Sequence, residues 1–210
     1  GQRVGTIYDV QGGVISELKN ERNIRYLTSE EIPQTVKDAF VSIEDKRFYK
    51  HNGVDFLALT RAVTKLINKD AITQGGSTIT QQLARNIFLT HEVSWQRKVK
   101  EMFTAWEIEK MYSKDQILEF YVNNIFYANN CYGIEAASQK YFGKPTAECS
   151  ISEVAFLCAI PNSPSRFDPL DHKENTLTRR DVILEAMYKN DKISEAEYKD
   201  ALAEVIKVDS

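Results

Sequence analysis

The chain has 210 residues, 42% hydrophobic and 27% charged, enough to bury one sizeable core and too few to make two domains the expectation. Its formal net charge of -3 excludes a general nucleic-acid binder, which needs a clear basic excess, so any phosphate recognition must come from local basic clusters. The longest uninterrupted apolar run, Val154 to Ile160, is far below the roughly 18 residues that span a bilayer.

At the N-terminus, Val4-Gly5-Thr6-Ile7-Tyr8 and Val14-Ile15 flank Gly12-Gly13, which predicts a β-hairpin over Val4 to Leu18. Residues 1–30 are therefore assigned to a linker and hairpin segment, and 31–210 to the main domain. The chain begins with Gly1 and has no secretory pattern, so an anchoring or targeting segment is expected to have been removed. From Glu30 onward the period is helical, with Val36, Ala39, Phe40 and Ile43 on one face.

Further along, Phe56, Leu57, Leu59, Val63, Leu66 and Ile67 alternate with Arg61, Lys65 and Lys69. Such a helix either lies in a bilayer interface or is buried. Trp95, Val99, Met102 and Trp106 are expected to form a core stripe. Capping-box spacings at Ser113/Gln116, Ser150/Glu153 and Ser194/Glu197 start three later helices, and Pro161, Pro164 and Pro169 mark one loop. Cys131, Cys149 and Cys158 form no CxxC pair and read as small buried hydrophobes.

Four stretches carry groups that can do chemistry. Glu44 follows Phe40 by four residues and Val36 by eight, at the border of the apolar face, where partial desolvation raises a carboxyl pKa toward general-base work. The plain alternative is a solvated helix-end charge. Gly75-Gly76-Ser77 reads as a flexible approach and an N-cap, opening a helix whose N-terminus suits an anion or a sugar; Gln81, Gln82, Arg85 and Asn86 follow along one side. Arg97 and Lys98 precede Glu101 by four and three positions, so the three heads can meet and hold a pyrophosphate, directly or through a metal, unless they are a surface ion-pair cluster. Glu119 and Asn123 are one turn apart and favour a structural hydrogen bond.

Other chemistries find no support. His51, His91 and His172 show no metal spacing, no GxSxG elbow is present, and an SxxK at Ser16 to Lys19 lies in the predicted hairpin with no partner motif.

Taken in order, EDxxFxxHxG at Glu44 to Gly53, GGSTITQQ at Gly75 to Gln82, RKxxE at Arg97 to Glu101, KxxILExYxN at Lys114 to Asn123 and RxxxILxxM at Arg179 to Met187 resemble glycosyltransferase family 51. This is the peptidoglycan glycosyltransferase domain of class A penicillin-binding proteins and monofunctional transglycosylases. The resemblance implies a mainly α, lysozyme-like fold with a large lobe, a membrane-proximal jaw and a cleft between them. It also implies polymerisation of lipid II into β-1,4-linked glycan by inverting transfer, with release of polyprenyl diphosphate. Glu44 would be the base for the acceptor 4-hydroxyl. Glu101, with Arg97 and Lys98, would sit by the departing pyrophosphate, with a divalent cation such as magnesium. Arg61, Ser77, Gln81, Gln82, Arg85 and Asn86 would contact substrate; Asp45, Phe48, His51, Gly53, Gly76, Glu119, Tyr121, Asn123 and Arg179 are motif positions expected to be structural.

The implied partners are lipid II, the growing lipid-linked strand and the membrane surface, at the extracytoplasmic face of a bacterial cytoplasmic membrane. Ile7-Tyr8-Asp9 through Ile15 resembles the linker preceding this domain in bifunctional members, which implies a transmembrane anchor and a transpeptidase domain in a parent protein. Two departures stand out: His91-Glu92-Val93 where a basic residue is common before RKxxE, and Ala128 where the family's NxxxxG has glycine. The rival readings are a lysozyme-like muramidase or lytic transglycosylase, and a silent lipid II-binding module.

Overall fold

The computed structural model describes residues 25–67, 76–88 and 94–209. The predicted hairpin, Gly75 and the His91-Glu92-Val93 departure lie outside them. The described chain is mainly helical, and its one β feature is an isolated antiparallel bridge between Phe126 and Tyr132.

Helix α1 (Gln34–Glu44) starts after Pro33, whose fixed φ suits a helix entry, and buries Val36, Ala39 and Phe40 as the period requires. It packs on α7 (Ile151–Ala159) and α8 (Lys173–Lys189), which themselves form the most extensive helix pair. Helix α7 buries every residue from Val154 to Ala159, which explains its unbroken apolar run. Helix α9 (Glu195–Ala203) closes this group against α8. The capping boxes at Ser150 and Ser194 form as the spacing predicts, as does that at Ser113, which opens α5 (Lys114–Asn124).

Helix α2 (Phe56–Ile67) and helix α4 (Trp95–Met111) flank the short helix α3 (Ile79–Arg85) in sequence. With seven residues, α3 is too short to be stable alone. Burial of Ile79, Leu83 and Ala84 against α4 and α5 holds it, each large side chain contributing about 1.5–3 kcal/mol. A wide turn, 125–133, leads from α5 to α6 (Ile134–Phe142). Ala128, Asn129 and Asn130 all take positive φ there, Ala128 at 62°, in the left-handed region that glycine occupies without strain. Alanine at position 128 therefore holds this turn at a local conformational cost.

One expectation is corrected, and one of two open alternatives is removed. Trp95, Val99 and Trp106 do not join the core: they are 73, 56 and 45% exposed, and Glu101, Thr104, Ala105, Glu107 and Ile108 form the buried face of α4 instead. On α2, Phe56, Leu57 and Val63 are exposed, which removes the buried-helix alternative for these residues. The cysteines are free thiols; Cys131 and Cys158 are buried and Cys149 is half-buried.

Candidate active site

Glu44 is the last residue of α1, and its side chain is only 9% exposed. Gln82 Nε2 on α3 donates to its Oε2 at 3.2 Å, while Arg179 Nη2 on α8 stands 3.6 Å from Oε1. Tyr121 OH donates to Gln82 Oε1 at 2.9 Å, which orients that amide with its NH2 toward Glu44. Burial raises the Glu44 pKa, and the opposition of Arg179 and Gln82 does not cancel it. The carboxyl is thus poised to take a proton more readily than a solvated glutamate.

On the other side of α3, Glu101 is 3% exposed and accepts from Arg85 Nε at 2.8 Å, Lys98 Nζ at 3.0 Å and Gln81 Nε2 at 3.4 Å. Arg85 and Lys98 also both donate to Ser77 Oγ, so two cations converge on one oxygen, each remaining more than a third exposed. The arrangement offers positive charge on an accessible edge, held from behind by a buried carboxylate.

This donor set fits an anion and does not fit a resident magnesium. Glu101 is the one carboxylate in the cluster, its oxygens already face cationic and amide donors, and no group of three metal-ligating side chains occurs among the described residues.

A buried network ties the two halves together. His51 Nε2–H donates to Asp45 Oδ2 at 2.7 Å, while Nδ1 faces both Gly53 N at 3.0 Å and Glu109 Oε2 at 3.5 Å. Burial pulls the His51 pKa down, but Asp45 and Glu109 outweigh it, leaving it raised. The same Asp45 Oδ2 accepts the first α3 amide, Ile79 N, at 3.1 Å. Asp45 thereby satisfies the first amide of α3 from within the chain. Gly53 runs at φ 108° with its α-carbon pressed on α4: a Cβ would lie 2.8 Å from the Ala105 carbonyl. Gly76 makes a similar close approach to Leu59 on α2.

Several site residues land elsewhere than expected. The cap of α3 is Thr78, with a full capping box to Gln81, and not Ser77. The T-x-x-Q spacing of Thr78 and Gln81 is the same signal that marks Ser113, and it lies one residue past the flexible Gly-Gly-Ser. Arg85 arrives at Glu101, whereas the Arg97 guanidinium lies over the Phe88 ring, 4.5 Å from its centroid. Arg61 is on the exposed side of α2, and Asn86 caps the exposed end of α3. Phe48 is fully buried, edge-on to His51. Glu119 accepts from Tyr26 OH and Ser29 N, and Asn123 pairs with the Leu27 backbone, a structural clamp on 26–29. Glu109, which sequence reasoning missed, bonds Lys114 Nζ at 2.6 Å behind His51.

Beside this site, Phe56, Leu57, Val99, Met102, Phe103 and Trp106 line an open apolar cavity of about 660 Å³, with Arg47 and Asp55 at its polar end. It brings exposed faces of α2 and α4 together.

A family model described as Transglycosylase matches residues 11–188. The chain belongs to the transglycosylase family. Among other transglycosylases, it is 41% identical to the monofunctional glycosyltransferase of Staphylococcus epidermidis, over 91% of this chain and 74% of that protein. It is also 41% identical to penicillin-binding protein 4 of Bacillus subtilis, over 97% of this chain but only 33% of that protein. The crystal structure of penicillin-binding protein 1A from Haemophilus influenzae superposes with a TM-score of 0.55 at 25% identity, covering 90% of this chain and 19% of that one. The transglycosylase thus spans about a third or less of the length of these larger penicillin-binding relatives.

Proposed function

We propose that this transglycosylase is a peptidoglycan glycosyltransferase that polymerises lipid II, with Glu44 as the base and the Arg85–Lys98–Ser77–Glu101 cluster as the pyrophosphate site. The observation that carries this reading is the division of labour across α3: a buried carboxylate of raised proton affinity on one side, a converging pair of cations on the other. A sugar hydroxyl needs a base to become a nucleophile, whereas a polyprenyl diphosphate leaves as a stable anion and needs cations more than a proton.

Glu44 accepts the proton of the acceptor 4-hydroxyl as its oxygen attacks the anomeric carbon of the growing strand. The bond to the pyrophosphate oxygen breaks on the opposite face, and the configuration inverts. Arg85 and Lys98 turn to the phosphate oxygens the N–H donors they now give to Ser77 Oγ, and Glu101 keeps both cations from swinging into solvent. Gln82 orients Glu44; Arg97, Arg61 and Asn86 extend the polar lining toward more distant parts of the substrate.

The exposed α2 and α4 apolar faces fit a bilayer interface, where a lipid-linked substrate resides. They would make up the jaw of a lysozyme-like, two-lobed domain covering 31–210, working at the extracytoplasmic face of a bacterial membrane. An N-terminal anchor and a C-terminal transpeptidase domain in a parent protein belong to the same proposal.

A hydrolase that cuts strands shares a glutamate and a glycan cleft but has no pyrophosphate to hold, so the Arg85–Lys98 pair disfavours it. Incubation with lipid II, with and without a chelator, is the test. Glycan polymer from the wild type and none from Glu44→Gln is the expected result; sugar release from mature peptidoglycan without polymer overturns the proposal. The chelator arm reads directly whether a divalent cation is required.

A further inference from the structure

Arg179 opens the last sequence motif and looks structural: it is 6% exposed and sits on the buried face of α8. Its hydrogen bonding contradicts that role. Nε and Nη2 are both fully buried and neither has a hydrogen-bond partner among the described residues. A buried guanidinium kept for packing or for tying loops spends its donors on carbonyls, as Arg180 next to it does with Leu202 O and Glu204 O. Arg179 instead has one charge contact, Glu44, at 3.6 Å, close enough for Coulomb attraction and too long for a hydrogen bond.

A buried charge with unsatisfied donors is unfavourable, so its retention points to a task in which the charge itself matters. The groups facing Glu44 limit what that task is. Gln82 and Arg85 face it from α3, Arg179 from α8, Tyr121 from α5 and Cys158 from α7, and Asp45 adjoins it on the chain. Arg85 is already committed to Glu101, and Tyr121, Cys158 and Gln82 bring no positive charge. Arg179 is the cation directed at Glu44 from within the core.

We propose that Arg179 is a positioning residue that keeps the buried Glu44 carboxylate ionised, and so able to accept a proton, through its charge rather than through support of the fold or contact with substrate. The inference rests on the reading of Glu44 as the base. The 3.6 Å gap is part of the device. A bidentate pair would weaken the carboxylate as a base, whereas without Arg179 burial would be opposed by Gln82 and Arg85 alone. Burial also lowers the pKa of Arg179, the expected reciprocal effect for a cation held in the same dry site.

The test titrates the Glu44 carboxyl by carbon NMR of glutamate-labelled protein, assigned with Glu44→Gln, alongside the pH profile of kcat/KM on lipid II. Arg179→Gln is expected to raise the Glu44 midpoint by about 1–3 pH units, the effect of removing a cation at this range. The acidic limb of the rate profile should move up equally, with activity recovering above it and KM little changed. Arg179→Lys, which keeps the charge, should stay close to wild type in midpoint. An unmoved midpoint in Arg179→Gln, or a rate loss equal at every pH, overturns the proposal.

Melting curves check folding, and Arg179→Met, which fills the space without polar atoms, carries the test if Arg179→Gln does not fold. If neither folds, Arg179 is a structural residue and the proposal falls. Should Glu44→Gln polymerise like wild type, the base reading fails on its own, while the NMR midpoint still decides what Arg179 does.

Discussion

Replacing Glu101 by glutamine separates the two things the carboxylate does, which are holding the fold locally and holding Arg85 and Lys98. Its two oxygens accept from Arg85 at 2.8 and 3.3 Å, Lys98 at 3.0 Å and Gln81 at 3.4 Å. Glutamine keeps one acceptor and places an NH2 group where one of the cations must face it. One charge-assisted hydrogen bond, worth about 1.5–3 kcal/mol, is lost. Arg85 and Lys98 are 47 and 40% exposed and can turn to water, so the net loss of stability should be only about 1–2 kcal/mol. That corresponds to a fall in Tm of about 2–8 °C for a domain of this size.

Activity should suffer far more, because the cations lose their fixed geometry around the leaving group. The expected loss of kcat is on the order of 10²–10³, the magnitude seen when one preorganised charge-stabilising group is removed. Polymer formation from lipid II, followed by gel separation of the strands, gives the rate, and a melting curve gives the stability. Wild-type polymerisation by a variant whose Tm has fallen as expected would refute the reasoning, since the cations would then need no buried carboxylate behind them.

Ala128→Gly should raise stability by about 0.5–1 kcal/mol in chemical denaturation: relief of the left-handed strain at φ 62° outweighs the added freedom of the unfolded chain. His51 predicts a pH slope. Its folded pKa lies above the ordinary 6.5, so its contribution is complete below pH 6.5 and is lost as pH rises through the folded value. Tm should therefore decline across that window, and His51→Gln should flatten the slope while lowering Tm overall. Phe103→Ser combined with Trp106→Ser, both half-exposed, should leave Tm nearly unchanged yet weaken sedimentation with anionic vesicles several-fold; unchanged sedimentation would remove this face from the membrane.

What the sequence made legible was whatever lies within one helix or one cap. The α1 face of Val36, Ala39 and Phe40 follows from period alone, and three capping boxes were readable because each closes within four residues. Apolar period misled at Trp95, Val99 and Trp106, because a stripe facing outward toward a cavity has the same spacing as one facing a core. Spacing also paired Arg97 with Glu101 across one turn, whereas Arg85 occupies that place from a different helix, sixteen residues back along the chain. Only tertiary packing decides which of two eligible cations arrives. The raised proton affinity of Glu44 was foreseeable from its place at the edge of an apolar face, but not its opponents Gln82 and Arg179, which come from α3 and α8.

Both carboxylates of the site depend on α3. A seven-residue helix has little stability of its own, yet Gln82 reaches Glu44 from it while Gln81 and Arg85 reach Glu101. Its start is fixed by Asp45, the residue directly after Glu44, through the Ile79 amide, and its cap Thr78 donates to the Gly53 carbonyl at 2.6 Å. Both carboxylates are therefore referenced to one small rigid piece that exists only because its neighbours pack on it. Loosening α3 would misplace the base and the phosphate cations together, whereas a change confined to either side chain would affect one alone. The first and second motifs thus behave as a single unit joined by Asp45 and His51, which is why residues such as Phe48 and Gly53, touching neither carboxylate, sit inside a motif that begins with Glu44.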